Sequence, residues 1–166
     1  MGVAQEALEL ARGGAQTGEF VFRAFDVQEC ATQDQDECLE LGLDSASASA
    51  STPAGEKPFE VATVMRLEVS MPYVPAVPYV VALGFCQFLR AQDESFGIRW
   101  PYDICYKDQV IVSIKATAGY QEGMFAVVSV VADAKALCPA FDVADNTELL
   151  AKKVSELVVQ SVSAWE

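Results

Sequence analysis

The segment FGIRWPYDICYKDQ (residues 96–109) has the side chains best suited to chemistry or ligand binding. Arg99, Trp100 and Asp103 offer a cation, an aromatic ring and a carboxylate within five residues, and the Trp-Pro pair is rigid. The chain contains no histidine, so the commonest general base and the commonest metal ligand are both missing. Thr63, Ser70 and Asp103 therefore cannot complete a histidine-based catalytic triad.

Composition excludes several further classes of function. The 166 residues include 24 acidic and 11 basic ones, giving a formal net charge of −13. Nucleic-acid binding is not expected, because neutralising phosphates requires clustered Lys and Arg. The five cysteines form no CxxC pair, so we expect reduced thiols and no zinc or other metal site. No apolar run is long enough to predict a membrane span, and a cytoplasmic protein is expected.

Hydrophobic periodicity predicts an α+β fold, with helices packed on one face of a mixed β-sheet. Residues 1–166 are expected to form a single domain without a DNA-binding domain or a C-terminal barrel. The acidic charge suits a basic partner or simple solubility. The predicted helices cover residues 3–12, 77–92 and 145–165, and the predicted strands cover 18–27, 60–71, 98–106, 109–118 and 124–133, with a hairpin at 119–123.

Residues 28–58 interrupt this pattern. From Asp26 to Asp44, both included, there are seven acidic residues and no Lys or Arg, and a Ser/Ala-rich stretch follows. This composition is typical of a mobile surface loop. Its carboxylates do not have the spacing of an EF-hand calcium loop.

Over residues 96–133 the order of features resembles the catalytic domain of biotin protein ligases, in the biotin/lipoate ligase superfamily. That family has a basic residue followed by Trp-Pro-Asn-Asp, then a hairpin with a lysine on one strand and a Gly-rich second strand. Here the motif reads Arg99, Trp100, Pro101, Tyr102 and Asp103, and two predicted hairpin strands follow it. The resemblance implies an enzyme that joins biotin to ATP with Mg²⁺ and transfers the acyl group to a lysine of a carrier protein.

Several positions depart from the family pattern. The family's Gly-Arg-rich loop would fall in the acidic segment 28–58, whose charge repels phosphate. The family lysine corresponds to Val110, and the nearest lysines are Lys107 and Lys115. Both lie an odd number of residues from Val110, so a regular strand points them to the opposite face unless a bulge intervenes. Ser113 replaces the glycine that follows the lysine.

The surviving motif residues allow two interpretations. In the first, Arg99 and the Trp100 ring form a platform for a purine or for biotin. In the second, Trp100 is a core residue at the start of a strand, and Asp103 pairs with a nearby base or with the backbone. Tyr73, Pro75, Pro78 and Tyr79 form either a partner-binding patch or a packed connection.

These observations favour a divergent, non-catalytic ligase-like protein that binds a protein partner or a small ligand in the relic pocket. A biotin/lipoyl carrier domain is one such partner. One alternative is an active biotin or lipoate ligase that uses Lys107 or Lys115, with biotin and ATP/Mg as its ligands. Another alternative is a homodimeric assembly module.

Overall fold

The protein folds around an antiparallel sheet, as seen in a computed structural model that describes residues 2–24, 58–144 and 146–166. The predicted loop at 28–58 thus lies, apart from Pro58, outside the described residues. In chain order the elements are α1 (Val3–Arg12), β1 (Phe20–Ala24), β2 (Pro58–Arg66), a 3-10 helix (Met71–Ala76), α2 (Val77–Arg90), β3 (Phe96–Arg99), β4 (Asp103–Tyr106), β5 (Gln109–Tyr120), β6 (Met124–Asp133), α3 (Ala134–Leu137) and α4 (Thr147–Ser163).

The predicted α+β class is confirmed, but the sheet is not mixed. The described strands are arranged in the order β1-β2-β6-β5-β4-β3, and each neighbouring pair is antiparallel. Neighbouring strands are all antiparallel because α2 leads the chain from β2 to the far edge of the sheet. From there β3, β4, β5 and β6 return by short turns until β6 lies beside β2, so no parallel crossover is formed.

The main core lies between the sheet and the pair α2/α4. Alternation along β2 points Val61, Thr63 and Met65 towards these helices. In α4 the residues Leu150, Val154, Val158 and Val162 repeat at helical spacing and are buried, so they form an apolar stripe. Asn146 is the N-cap of α4, since its Oδ1 accepts a hydrogen bond of 3.0 Å from the Leu149 N–H.

Helix α1 packs on the opposite face of the sheet, which corrects the prediction that all helices share one face. Its inward residues are small (Val3, Ala7 and Ala11), so the helix approaches closely to Ala62 and Val64 of β2 and to Phe125 and Val127 of β6. Strands β2 and β6 are therefore apolar on both faces where α1 covers them.

Arg66 connects the C-terminal end of α1 to the sheet. Its guanidinium donates to the carbonyl oxygens of Ala11 (2.7 Å), Ala15 (2.9 Å) and Gln121 (3.3 Å). A cation is well placed here because the last carbonyls of a helix have no partner within the helix and carry partial negative charge.

Residues 71–90 are the one helical stretch in the described part of the chain that is long and apolar enough to cross a bilayer. In this fold the stretch consists of the 3-10 helix and α2. Val77, Val81, Phe85 and Leu89 of α2 belong to the main core, as expected for the core helix of a globular domain.

Candidate functional site

The predicted motif forms the hairpin between β3 and β4, and its side chains separate onto two faces of the sheet. Arg99 and Asp103 are direct cross-strand partners, so they share one face. Phe96, Ile104 and Tyr106 point to the other face, where α2 packs. The turn between the strands contains Trp100, and the Trp100–Pro101 peptide bond is cis.

Trp100 lies at the surface on the α2 side. Its ring is 80% exposed, and its centroid is 5.7 Å from that of Tyr79 in α2. The Tyr102 ring packs edge-on against Tyr79 at 5.3 Å. The interpretation of Trp100 as a core residue is wrong, because the residue lies in the turn, is largely exposed, and has its ring beside that of Tyr79 at the surface.

An apolar groove of about 370 Å³ continues from these rings along α2 and β5. Tyr73 is 60% exposed, Tyr79 is 41% exposed and Pro75 is also exposed, whereas Pro78 is buried, so three of the four residues form an open patch and the fourth packs into the fold. We refer to Tyr73, Tyr79, Trp100 and Tyr102 together as the aromatic surface. The groove is lined by Val74, Pro75, Pro78, Tyr79, Tyr102, Ala116 and Ala118.

Asp103 belongs to a second region, on the sheet face opposite α2 and α4. Its Oδ1 accepts a hydrogen bond of 2.8 Å from the Ser113 hydroxyl of β5. On the same face, Glu60 Oε1 of β2 accepts 2.6 Å from the Ser129 hydroxyl of β6. Both serines are buried. We call the region formed by Glu60, Asp103, Ser113, Lys115 and Ser129 the polar sheet face.

A β-bulge decides which lysine shares this face. Cys105 pairs with Val110 and Ile104 pairs with Val112, so Ile111 is an extra residue in β5. The extra residue reverses the alternation and places Val110 on the same face as Ser113. Lys115 follows two residues later and lies opposite Ser129 in the register of β5 and β6. Lys115 therefore lies on the polar sheet face. The sequence allowed this position only if a bulge intervened, and the bulge is present.

Lys107 lies elsewhere, at the tip of the hairpin between β4 and β5. It has a positive φ of 48°, and Asp108 after it has a φ of 66°, the pair of values that a type I′ turn requires. The Lys107 ammonium is 5.0 Å from the centroid of the Tyr106 ring, which faces the α2 side. The fold thus separates Lys107 from Asp103 and brings Lys115 towards it.

Two further residues of the polar sheet face were not picked out as site residues from the sequence. Glu60 and Ser129 are 69 residues apart, and strand pairing between β2 and β6 brings them into contact. Glu60 is a charged residue within an otherwise apolar strand, and this feature of the sequence could have identified it as a candidate site residue. Within residues 2–24, 58–144 and 146–166, no three His, Cys, Asp or Glu residues are grouped so that they could hold a metal ion.

Comparison with known proteins identifies the architecture. No family model matches the sequence, and no curated protein matches it. A biotin protein ligase from Leishmania major, solved in complex with biotin, superposes with a TM-score of 0.54 at 9% identity, over 95% of this chain and 68% of the other. The chain has a biotin protein ligase-like fold. The predicted resemblance is therefore confirmed at the level of the fold.

Two further solved structures are similar over a smaller part of the chain. A biotin protein ligase from Aquifex aeolicus gives a TM-score of 0.45 at 12% identity over 65% of this chain. A protein of unknown function from Pyrococcus horikoshi gives 0.48 at 9% identity over 66%. This ligase-like chain spans 54% and 61% of the length of those two proteins.

Proposed function

We propose that this ligase-like protein is non-catalytic and binds a protein partner through its aromatic surface. The observation that supports the loss of catalysis best is the chemistry of the polar sheet face. Acyl-adenylate formation needs cations around the phosphates and close approach of backbone to ligand. This face presents the carboxylates of Asp103 and Glu60, each accepting a hydrogen bond from a serine hydroxyl, beside the cations Arg99 and Lys115, and Val110 lies in the position of the family lysine.

The carboxylates of this face are unfavourable for ATP. Glu60 and Asp103 lie on β2 and β4 with two strands between them, so a phosphate brought near either one meets a single like charge. Coulomb repulsion between unit charges about 4 Å apart costs about 1 kcal/mol in water and several times more near a protein surface. Val110 is 7% exposed and apolar, so it offers no compensating charge. Ser113 places a side chain where the backbone of the family's glycine would approach a ligand.

The aromatic surface supports the binding part of the proposal. Trp and Tyr are the residues that most often anchor protein interfaces, and exposed aromatic patches commonly mark interaction sites. The net charge of −13 favours a partner with a basic surface. The fold similarity makes a biotin or lipoyl carrier domain the first partner to test.

One observation favours a second function, that of an active biotin or lipoate ligase. Lys115 lies on the polar sheet face with Asp103 and Ser113, so it could supply the cation that Val110 lacks. In this alternative, Lys115 contacts the acyl phosphate. Lys107 is a matched control, because it is also an exposed lysine of the β4–β5 hairpin region but lies at the tip, by Tyr106.

Pyrophosphate exchange with ATP, Mg²⁺ and either biotin or lipoate separates these functions. We expect exchange no faster than in the absence of protein. Exchange that is lost in Lys115→Ala and retained in Lys107→Ala would establish the enzyme and refute the non-catalytic proposal.

Partner binding is tested by titrating purified biotin and lipoyl carrier domains into the protein in a calorimeter. We expect binding that weakens at least about tenfold in Trp100→Ala, because truncating a central interface tryptophan commonly costs 2 kcal/mol or more. Leu83→Ala is a matched control, since Leu83 is an exposed apolar residue of α2 that does not line the groove. Equal losses in both variants, or binding by neither carrier, would count against this partner. Sedimentation that shows a dimer sensitive to Trp100→Ala would favour the homodimeric assembly module.

A further inference from the structure

A cavity of about 340 Å³ lies beside the C-terminal end of α2, whereas the aromatic surface lies near the N-terminal end of that helix. The cavity is also away from the polar sheet face. It is bounded by the residues that follow α2, by strands β3 and β4, and by the segment that follows β6 and contains α3. Its volume is in the range of pockets that bind small molecules. The lining includes Asp93, Phe96, Tyr106, Ala136, Pro139 and Ala140.

Two aromatic rings form one wall of this cavity. Phe96 and Tyr106 are cross-strand partners in β3 and β4, and their ring centroids are 4.8 Å apart. The Tyr106 ring already holds a cation at its face, because the Lys107 ammonium is 5.0 Å from its centroid. The ring quadrupole therefore acts on positive charge at this position.

Asp93 supplies a fixed negative charge in the same lining. Its Oδ1 accepts a hydrogen bond of 2.8 Å from the Ser95 N–H, and its Oδ2 accepts 3.1 Å from the Tyr106 hydroxyl. The backbone and side chain of Ser95 lower the pKa of Asp93 from its usual value, and the Tyr106 hydroxyl and Lys107 lower it further. The carboxylate is therefore ionised at neutral pH, and two hydrogen bonds hold it in one orientation.

We propose that this cavity binds a small organic ammonium ion that carries an apolar ring. The ring packs against Pro139 and the alanines, while the ammonium contacts the Asp93 carboxylate and the aromatic wall. An organic anion would be repelled by the Asp93 charge, and a neutral apolar molecule would offer no opposite charge to it. The site is independent of the proposed partner-binding function, because none of its lining residues belongs to the aromatic surface or the polar sheet face.

The proposal is tested by calorimetric titration of the full chain with 2-phenylethylamine and with its uncharged analogue 2-phenylethanol. We expect the amine to bind about threefold to fivefold more tightly than the alcohol, and Asp93→Asn to remove that difference, because an ion pair with a solvent-accessible carboxylate contributes a factor of about this size. Equal binding of the amine and the alcohol to the wild-type protein, or no binding of the amine at about 10 mM, would overturn the proposal.

Two further variants locate the site and keep the test decisive if Asp93→Asn does not fold. Ala136→Leu fills the cavity without removing a hydrogen bond of Asp93, and it should weaken amine binding by about tenfold or more. Ala116→Leu is the matched control, since Ala116 lines the groove beside Tyr79. Amine binding that Ala116→Leu weakens and Ala136→Leu leaves unchanged would place the ligand on the aromatic surface and refute this site.

Discussion

Replacing Gly84 with alanine should destabilise the protein, although alanine is the better helix former. A Cβ built on Gly84 in α2 would lie 2.8 Å from the Cβ of Ser161 in α4, and closer still to its hydroxyl oxygen. Ordinary carbon–carbon contacts lie at about 3.5–4.0 Å, so the helices would have to separate by roughly 1 Å. Overpacking of this kind costs about 1–3 kcal/mol, whereas the gain in helix propensity is about 1 kcal/mol.

We expect an overpacking cost near the upper end of that range, because both Cβ atoms are bonded directly to the backbone and cannot move away. After the gain in helix propensity, Gly84→Ala should lower the free energy of unfolding by about 1–2 kcal/mol. For a chain of this length such a loss lowers the melting temperature by roughly 2–8 °C. Urea unfolding followed by circular dichroism measures the change in the free energy of unfolding. A Gly84→Ala protein as stable as wild type, or more stable, would show that the two helices do not have the spacing described here.

A double-mutant cycle tests whether the contact between residue 84 and Ser161 causes the loss of stability. Ser161→Gly removes both atoms that the new Cβ meets, and alone it should cost about 0.5 kcal/mol in helix propensity. Combined with Gly84→Ala, it should return the free energy of unfolding to within about 1 kcal/mol of wild type. Ser161→Ala keeps the Cβ at 2.8 Å and should rescue only part of the loss. Equal rescue by both variants would contradict the role of that Cβ.

Three further perturbations test the features that hold the site in place. Arg66→Ala removes three hydrogen bonds from a guanidinium to backbone carbonyls and should cost about 2 kcal/mol in urea unfolding, whereas Arg66→Lys should cost less. Asp108→Gly relieves the positive φ in the β4–β5 turn and should stabilise by about 0.5 kcal/mol, while Asp108→Val should destabilise by more than that. The lowered pKa of Asp93 contributes stability that is complete above the unfolded value of about 3.9 and is lost as the pH falls below it. Urea midpoints between about pH 6 and pH 3 should therefore fall less steeply in Asp93→Asn than in wild type, and parallel curves would refute this contribution.

The sequence alone predicted most of the described secondary structure and the ligase-like fold. Helix α1 was predicted over 3–12, as observed, because a regular apolar spacing ends at two glycines. The hairpin of β5 and β6 also follows from a local pattern. Each of these signals is contained within one helix or within two strands that are adjacent in the sequence, so no knowledge of the rest of the fold is needed to interpret it.

The order in which the strands pair, and the face of the sheet that each helix covers, could not be predicted from local patterns. The sequence pattern shows that β2 and β6 are apolar, but not that α1 covers one side of them while α2 and α4 cover the other. A mixed sheet was predicted from helices that bracket a run of strands, whereas α2 in fact leads to the far edge of a sheet in which all neighbouring strands are antiparallel.

By itself, the sequence determined that this protein has no histidine and a net charge of −13, and it predicted a resemblance to the biotin protein ligase motif at Arg99, Trp100 and Asp103. The tertiary structure alone decided where those side chains go. Because side chains in a strand alternate, the one extra residue at Ile111 reverses the face of Val110 relative to Lys115. The turn at Trp100 likewise places its ring on the α2 side of the sheet, while Asp103 faces the opposite side.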